Sequence, residues 1–157
     1  MYPLKSFKFP TTQQVLIWQK RRQEVLPSII ARELEVSPAL VSKAQRIAEE
    51  RIEKILMHTA STNRVSIKHL SPRYGFAVGY CSANKSDTYI LYSPSLGIQL
   101  WFNHGGECDK CPEKSVCEKT LRILADEWNI PLPENLPATE AGEELFNAIM
   151  RRLKWIE

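Results

Sequence analysis

The sequence has no long apolar run. Its apolar stretches fall far short of the ~20 residues that a helix needs to cross a bilayer, so we expect no membrane segment. The N-terminal residues Met1 to Lys5 lack the apolar core of a secretory signal. With 43% apolar and 25% charged residues, the composition is typical of a soluble globular protein. We therefore expect a cytoplasmic location.

Motifs of the common enzyme classes are also missing. There is no P-loop, no G-x-S-x-G nucleophile turn and no H-E-x-x-H zinc-protease motif. No internal repeat or low-complexity segment is visible. We expect that the protein is not an enzyme.

The charge is uneven along the chain, although the net charge is only +3. Residues 1–60 hold ten Lys and Arg against six Asp and Glu, whereas residues 61–157 hold eleven against twelve. The basic excess is confined to the N-terminal third, where a polyanion could bind. A chain of 157 residues suits one domain or two small ones. We expect two, at 1–60 and 61–157.

Local signals predict helices in the first part and strands in the second. Thr11 or Thr12 can cap a first helix that Pro27 ends, Ser28 can cap a second one, and Ser37-Pro38 opens a third. Strands rich in β-branched and aromatic residues follow, and two amphipathic helices end the chain. The predicted helices are 13–26, 29–34, 38–57, 115–128 and 139–155, and the predicted strands are 64–68, 74–80, 88–92 and 97–102.

These signals predict an α+β fold. It comprises an N-terminal helix-turn-helix, a small antiparallel sheet of three or four strands with a four-cysteine metal site, and C-terminal helices. The last helix carries apolar residues on one side, and this side is either core or a dimer seam. We favour a homodimer, because helix-turn-helix regulators commonly read two half-sites of double-stranded DNA.

The two helices within residues 28–56 have the form of a DNA-reading unit. In such a unit the second helix enters the major groove, where Arg and Lys donate to guanine, Gln pairs with adenine and small residues admit thymine methyls. Other basic residues would bind phosphates. The alternative is a helical hairpin that only packs a core. The candidate base contacts are Ala39, Ser42, Lys43, Gln45 and Arg46, and the candidate phosphate contacts are Lys20, Arg21, Arg22 and Arg51.

Two stretches of this region resemble known DNA-binding families. Residues 30–42, IARELEVSPALVS, are similar to the helix-turn-helix of LuxR-type and sigma-factor C-terminal regions. Residues 48–54, AEERIEK, are similar to archaeal Tfx-type regulators. The resemblance covers roughly residues 10–58. It implies a DNA-binding transcription regulator and says nothing about the C-terminal two-thirds.

The four cysteines form a second candidate site. Cys108, Cys111 and Cys117 have the spacing C-x2-C-x5-C, and Cys81 lies 27 residues upstream. A C-x2-C turn directs two thiolates to one centre, and four thiolates satisfy either a tetrahedral zinc or a 4Fe–4S cluster. We expect all four to ligate one metal, although His104 could replace a cysteine in a zinc site.

The spacing C-x2-C-P-x4-C with a distant fourth cysteine resembles several 4Fe–4S proteins. These are the WhiB-like regulators, endonuclease III-type glycosylases and RecB-like CRISPR-associated nucleases. The resemblance implies a 4Fe–4S cluster, with Zn²⁺ as the alternative, and such a cluster could sense redox state or a ligand. An iron–sulfur enzyme that processes nucleic acids is a further alternative. It is disfavoured because Asp87 and Glu107 are not arranged for metal-assisted hydrolysis.

Overall fold

A computed structural model describes residues 7–157, so the Met1–Lys5 segment lies outside the described residues. Over residues 7–157 the chain forms five α-helices and one four-stranded antiparallel sheet, which confirms the predicted α+β class. None of these helices is long and apolar enough to cross a membrane. The elements are α1 (Thr12–Arg22), α2 (Pro27–Leu34), α3 (Pro38–Thr62), β1 (Val65–Ser71), β2 (Phe76–Cys81), β3 (Ser86–Ser93), β4 (Gly97–Phe102), α4 (Lys114–Glu127) and α5 (Ala138–Arg152).

Helices α1 and α3 begin where their capping residues predict. Helix α2 does not begin after the predicted cap Ser28, because it starts at Pro27, and Leu26 before it makes no side-chain capping hydrogen bond. The Thr11 hydroxyl accepts a hydrogen bond from the Gln14 backbone N–H, and the Gln14 side chain accepts one from the Thr11 N–H. This reciprocal capping box satisfies two backbone donors at the start of α1. At α3, the Ser37 hydroxyl accepts from the Leu40 N–H at 3.1 Å, and Pro38 takes the first helical position.

Several element boundaries differ from the prediction. Helix α1 ends at Arg22, before Pro27, and Glu24 then takes a left-handed φ of 64°. Pro27 does not end α1 but occupies the first turn of α2, where its missing N–H leaves no helical hydrogen bond unmade. Helix α3 runs five residues beyond the predicted Met57, because Ala60 is still buried against the sheet.

The sheet is a meander of order β1-β2-β3-β4, and its two faces are both covered. Alternate residues point to opposite faces, as the twofold period of a strand requires. One face packs against α4 and α5 and includes Phe76 and Leu91. The other face packs against α3 and includes Ala77 and Ile90. The sheet therefore separates two apolar cores.

Helix α3 joins the N-terminal helices to the sheet. Its first half packs with α1 and α2 in a small core that includes Val41 and Ala44. Its second half packs on the sheet through Ile52 and Leu56, both fully buried. The predicted boundary near residue 60 thus lies at the end of a helix that takes part in both cores.

Gly79 lies where β1 and β2 approach most closely. It pairs with Ile67, beside an irregularity in the β1–β2 register between Ile67 and His69. A Cβ at position 79 would lie 2.3 Å from the backbone oxygen of Ser66, a distance that side chains do not tolerate. The residue is glycine because the partner strand's backbone fills the space of a side chain.

We expect Gly79→Ala to lower the free energy of unfolding by about 1–3 kcal/mol, because the strands must separate to admit the methyl group. Chemical denaturation measures this loss. Gly105→Ala is the control, since a Cβ there meets no atom within 4 Å. Equal stability of the two variants would contradict the close β1–β2 approach.

Candidate nucleic-acid interface and cysteine cluster

The N-terminal half of α3 has one buried and one exposed side. Val41 and Ala44 face the helical core. Ala39, Ser42 and Lys43 are exposed on the outer side. Arg46 is also exposed, and its 3.8 Å ion pair with Glu50 joins two open side chains, which contributes little stability. These side chains are therefore accessible to a partner.

The other candidate contacts on this side of the molecule already have partners within the chain. The Arg21 Nε donates to the Gln45 Oε1 at 3.1 Å, which links α1 to α3. Lys20 forms a 2.9 Å ion pair with Glu33. Arg51 donates to the Phe9 carbonyl and to the Gln14 side chain. These side chains are all partly buried, and their contacts join the N-terminal helices to one another. They are Lys20, Arg21, Gln45 and Arg51.

Arg22 does not lie on the surface, and its predicted phosphate contact is wrong. Its side chain is 7% exposed, and its guanidinium lies 4.8 Å from the centre of the Trp18 ring and 4.5 Å from that of Trp128. It donates to the backbone carbonyls of Tyr74 and Glu127. Burial lowers the pKa of Arg22 to about 10, although the nearby Glu127 charge raises it. Arg22 thus ties α1 to the C-terminal part of the chain.

The cysteine loop lies between β4 and α4. A short 3₁₀ turn spans Cys108–Lys110, and the Cys111 N–H donates to the Cys108 carbonyl at 3.0 Å, which closes the C-x2-C turn. Gly106, just before it, has a φ of 141°, which residues with a side chain rarely adopt. Cys117 lies on the first turn of α4, as predicted. The side chain of Cys111 is exposed, and those of Cys108 and Cys117 are half-buried.

The three thiols of this loop lie close enough to influence one another. Burial raises the pKa of the Cys117 thiol, and the charges of Cys111 and Cys108 raise it further. Hydrogen bonds from Thr139 lower the pKa of Cys108, whose Sγ lies 3.7 Å from the Thr139 Oγ1 at the start of α5. Within residues 7–157, however, no three Cys, His, Asp or Glu side chains are placed as a ready-made metal site.

Cys81 is not brought to the other three cysteines. It ends β2 with its side chain 1% exposed, in the core that α3 covers, and its Sγ donates to the Asn63 carbonyl at 3.4 Å. Cys108 and Cys117 border the core on the opposite face of the sheet. Cys108, Cys111 and Cys117 therefore share one loop without forming a ready-made metal site among the described residues, and Cys81 lies across the sheet from them.

His104 lies just before the cysteine loop. Its Nδ1 is 2.7 Å from the Phe102 carbonyl, so this nitrogen carries the proton in the neutral ring and leaves Nε2 with a free lone pair. The ring packs on Trp101, with 5.3 Å between centroids. Trp101 in turn covers Gly142 of α5, one turn from the Thr139 that contacts Cys108. His104 and the three cysteines thus belong to the same corner of the molecule.

The last helix is part of the core. Leu145, Phe146 and Ile149 are fully buried against the sheet and α4. The apolar side of α5 is therefore filled by the chain's own residues. Of the two predicted roles, core or dimer seam, the structure favours core.

Two contributors to these sites were missed in the sequence. Thr139 is 31 residues from the Cys108 that it contacts, and Trp128 is 106 residues from the Arg22 that it covers. No spacing rule connects residues so far apart.

Comparison of the chain with protein-family models, with curated proteins and with solved structures gives no match.

Arg22→Ala should lower the free energy of unfolding by roughly 2–4 kcal/mol, because it removes a buried side chain that two indole rings enclose. Arg32→Ala, an exposed arginine of α2, should change it by less than about 0.5 kcal/mol. Thermal and urea unfolding of both variants measure the difference. If the Arg22→Ala protein were as stable as the Arg32→Ala protein, the buried position of Arg22 would be contradicted.

Proposed function

We propose that the protein is a DNA-binding transcription regulator in which α2 and α3 form a helix-turn-helix. The observation that carries the proposal is the free outer side of α3, from Ala39 to Arg46, while its inner side is fixed in the helical core. A recognition helix needs this combination, since its outer side must reach base edges without losing its support.

The connection between the helices supports the same function. Glu35 has a left-handed φ of 55°, and the Val36 N–H returns to the Ala31 carbonyl, so α2 ends sharply. Ser37 then caps α3. A turn this short is of the kind that joins the two helices of a helix-turn-helix.

The exposed side chains suit duplex DNA. Arg46 and Lys43 donate hydrogen bonds, and Ser42 both donates and accepts, whereas Ala39 leaves room for a thymine methyl. The ion pair of Lys20 with Glu33 is partly open to solvent, so Lys20 can exchange this partner for a phosphate at small cost. We further propose that a homodimer reads two half-sites, through a surface other than the buried side of α5.

Arg46→Ala should weaken binding to a selected operator by about 1–3 kcal/mol, because it removes a donor to a base edge. Lys54→Ala is the matched control, since Lys54 is an exposed cation on the same helix two turns further on. Fluorescence anisotropy at several salt concentrations gives both affinities. Normal binding by Arg46→Ala, or no salt-sensitive binding by the unaltered protein, would refute the proposed interface.

We propose that the cysteine loop binds a metal through Cys108, Cys111 and Cys117. The closed C-x2-C turn and the proximity of Cys117 support this assignment. His104 is the best candidate for a fourth ligand, because its Nε2 lone pair is free at the same corner. Three cysteines and one histidine are a common donor set of structural zinc sites.

The position of Cys81 argues for zinc over a four-cysteine 4Fe–4S cluster. A cluster held by all four thiolates would require Cys81 to leave the core under α3 and cross to the other face of the sheet. A zinc held at the loop leaves that core intact. When bound, the metal would fasten the loop to α4, because Cys117 belongs to that helix.

Cys111→Ser should lose bound metal and lower the melting temperature of the metal-loaded protein. Cys111 is exposed, so its loss has little effect on packing and the change reports the metal. Cys81→Ser should keep its full metal content. Metal analysis and visible absorption of anaerobically purified variants measure both. Iron with a visible band, lost equally in the two variants, would establish the four-cysteine cluster instead.

A further inference from the structure

A cavity of about 360 Å³ lies between the end of α1 and the C-terminal helices. This volume is within the range of small-molecule sites. The α1 side contributes Arg22, and the opposite side contributes Tyr74, Glu127, Trp128 and Arg152. The cavity has no part in the proposed DNA interface or in the cysteine loop.

Arg22 has N–H donors without a hydrogen-bond partner among the described residues. Arg22 is 7% exposed as a residue, and within residues 7–157 its guanidinium makes hydrogen bonds to two backbone carbonyls alone, at 3.4 and 3.2 Å. Within residues 7–157, no carboxylate oxygen lies within ion-pair distance of it. A guanidinium has five N–H donors, and the rings of Trp18 and Trp128 hold this one in a fixed plane.

The acidic residue nearest to Arg22 is held by another part of the chain. The Oε1 of Glu127 accepts hydrogen bonds from the Ser93 hydroxyl at 2.8 Å and from the hydroxyl and N–H of Ser95. This places the carboxylate at the turn between β3 and β4, so that it attracts Arg22 only through space. Glu24 also lines the cavity, and its side chain is exposed.

A second guanidinium reaches the same cavity. Arg152 ends α5 and donates through Nη1 to the Trp128 carbonyl, and its other donors have no partner in the part of the chain that the structure describes. The two arginine charges repel each other, and the Arg152 charge contributes to the lowered pKa of Arg22. An anion between them would remove this repulsion and satisfy the remaining donors.

We propose that this cavity binds a small anion with carboxylate or phosphate groups, held between the guanidinium groups of Arg22 and Arg152. Both groups match the paired donors of arginine. Tyr74 and Trp128 line the same space, and their rings can contact the apolar part of such a ligand. The ligand would join α1 to α4 and α5.

Calorimetric titration of the full chain with malonate and with inorganic phosphate tests this site, with sodium chloride at equal ionic strength as the blank. No DNA is present, so the result does not depend on the proposed regulator function. We expect saturable binding of at least one dianion, and the one that binds more tightly identifies the ligand class. Tryptophan fluorescence should change in parallel, because Trp18 and Trp128 flank Arg22.

Arg152→Gln should weaken this binding about tenfold, since it removes a charged donor. Arg151→Gln is the matched control, because Arg151 and Arg152 are both exposed on α5 and Arg151 does not line the cavity. If Arg152→Gln unfolds, Arg152→Lys replaces it, and its loss of the paired donors should still weaken binding. Equal affinities in the position-152 and position-151 variants, or no saturable binding by the unaltered protein, would overturn the proposal.

Discussion

The molecule depends on one continuous helix, α3, that is buried at both of its ends by different partners. Val41 and Ala44 pack with α1 and α2, and Ile52 and Leu56 pack on the sheet. The fully buried side chains of Val41, Ile52 and Leu56 each contribute about 1.5–3 kcal/mol. Since a helix transmits orientation along its length, the outer side of its first half is held in a fixed relation to the sheet. The proposed DNA-reading surface is thereby attached rigidly to the C-terminal part of the chain.

Arg22 provides a second link between the N-terminal helices and the C-terminal part of the chain. This link is made by cation–π contacts and hydrogen bonds instead of apolar packing. Burying a guanidinium is costly, and here the cost is offset by the faces of Trp18 and Trp128 and by two backbone carbonyls. The contact is directional, so it fixes α1 against α4 in a way that apolar packing alone does not. It also leaves a charged cavity at the junction, which is a suitable place for a ligand to influence how the two parts fit together.

The sheet controls which cysteines can act together. Because successive side chains on a strand point to opposite faces, the choice of face at the end of β2 places Cys81 under α3. The loop after β4 lies against α4 and α5 instead, beside Thr139. A metal at this loop would stabilise the C-terminal helices directly. Its effect on α1–α3 would have to pass through the sheet or through the Arg22 junction.

The features of this fold that depend on neighbouring residues could be predicted from the amino-acid sequence. Interactions within a few positions account for the capping box at Thr11, the Ser37-Pro38 start of α3, the strands rich in β-branched and aromatic residues, and the C-x2-C turn. The tertiary structure alone decided the rest. Rules based on neighbouring residues predict a surface position for Arg22 and a metal-ligand role for Cys81. They contain no information about the indole of Trp128 or about the helix that covers β2. Burial depends on partners that are distant in sequence, and only the packed fold brings them together.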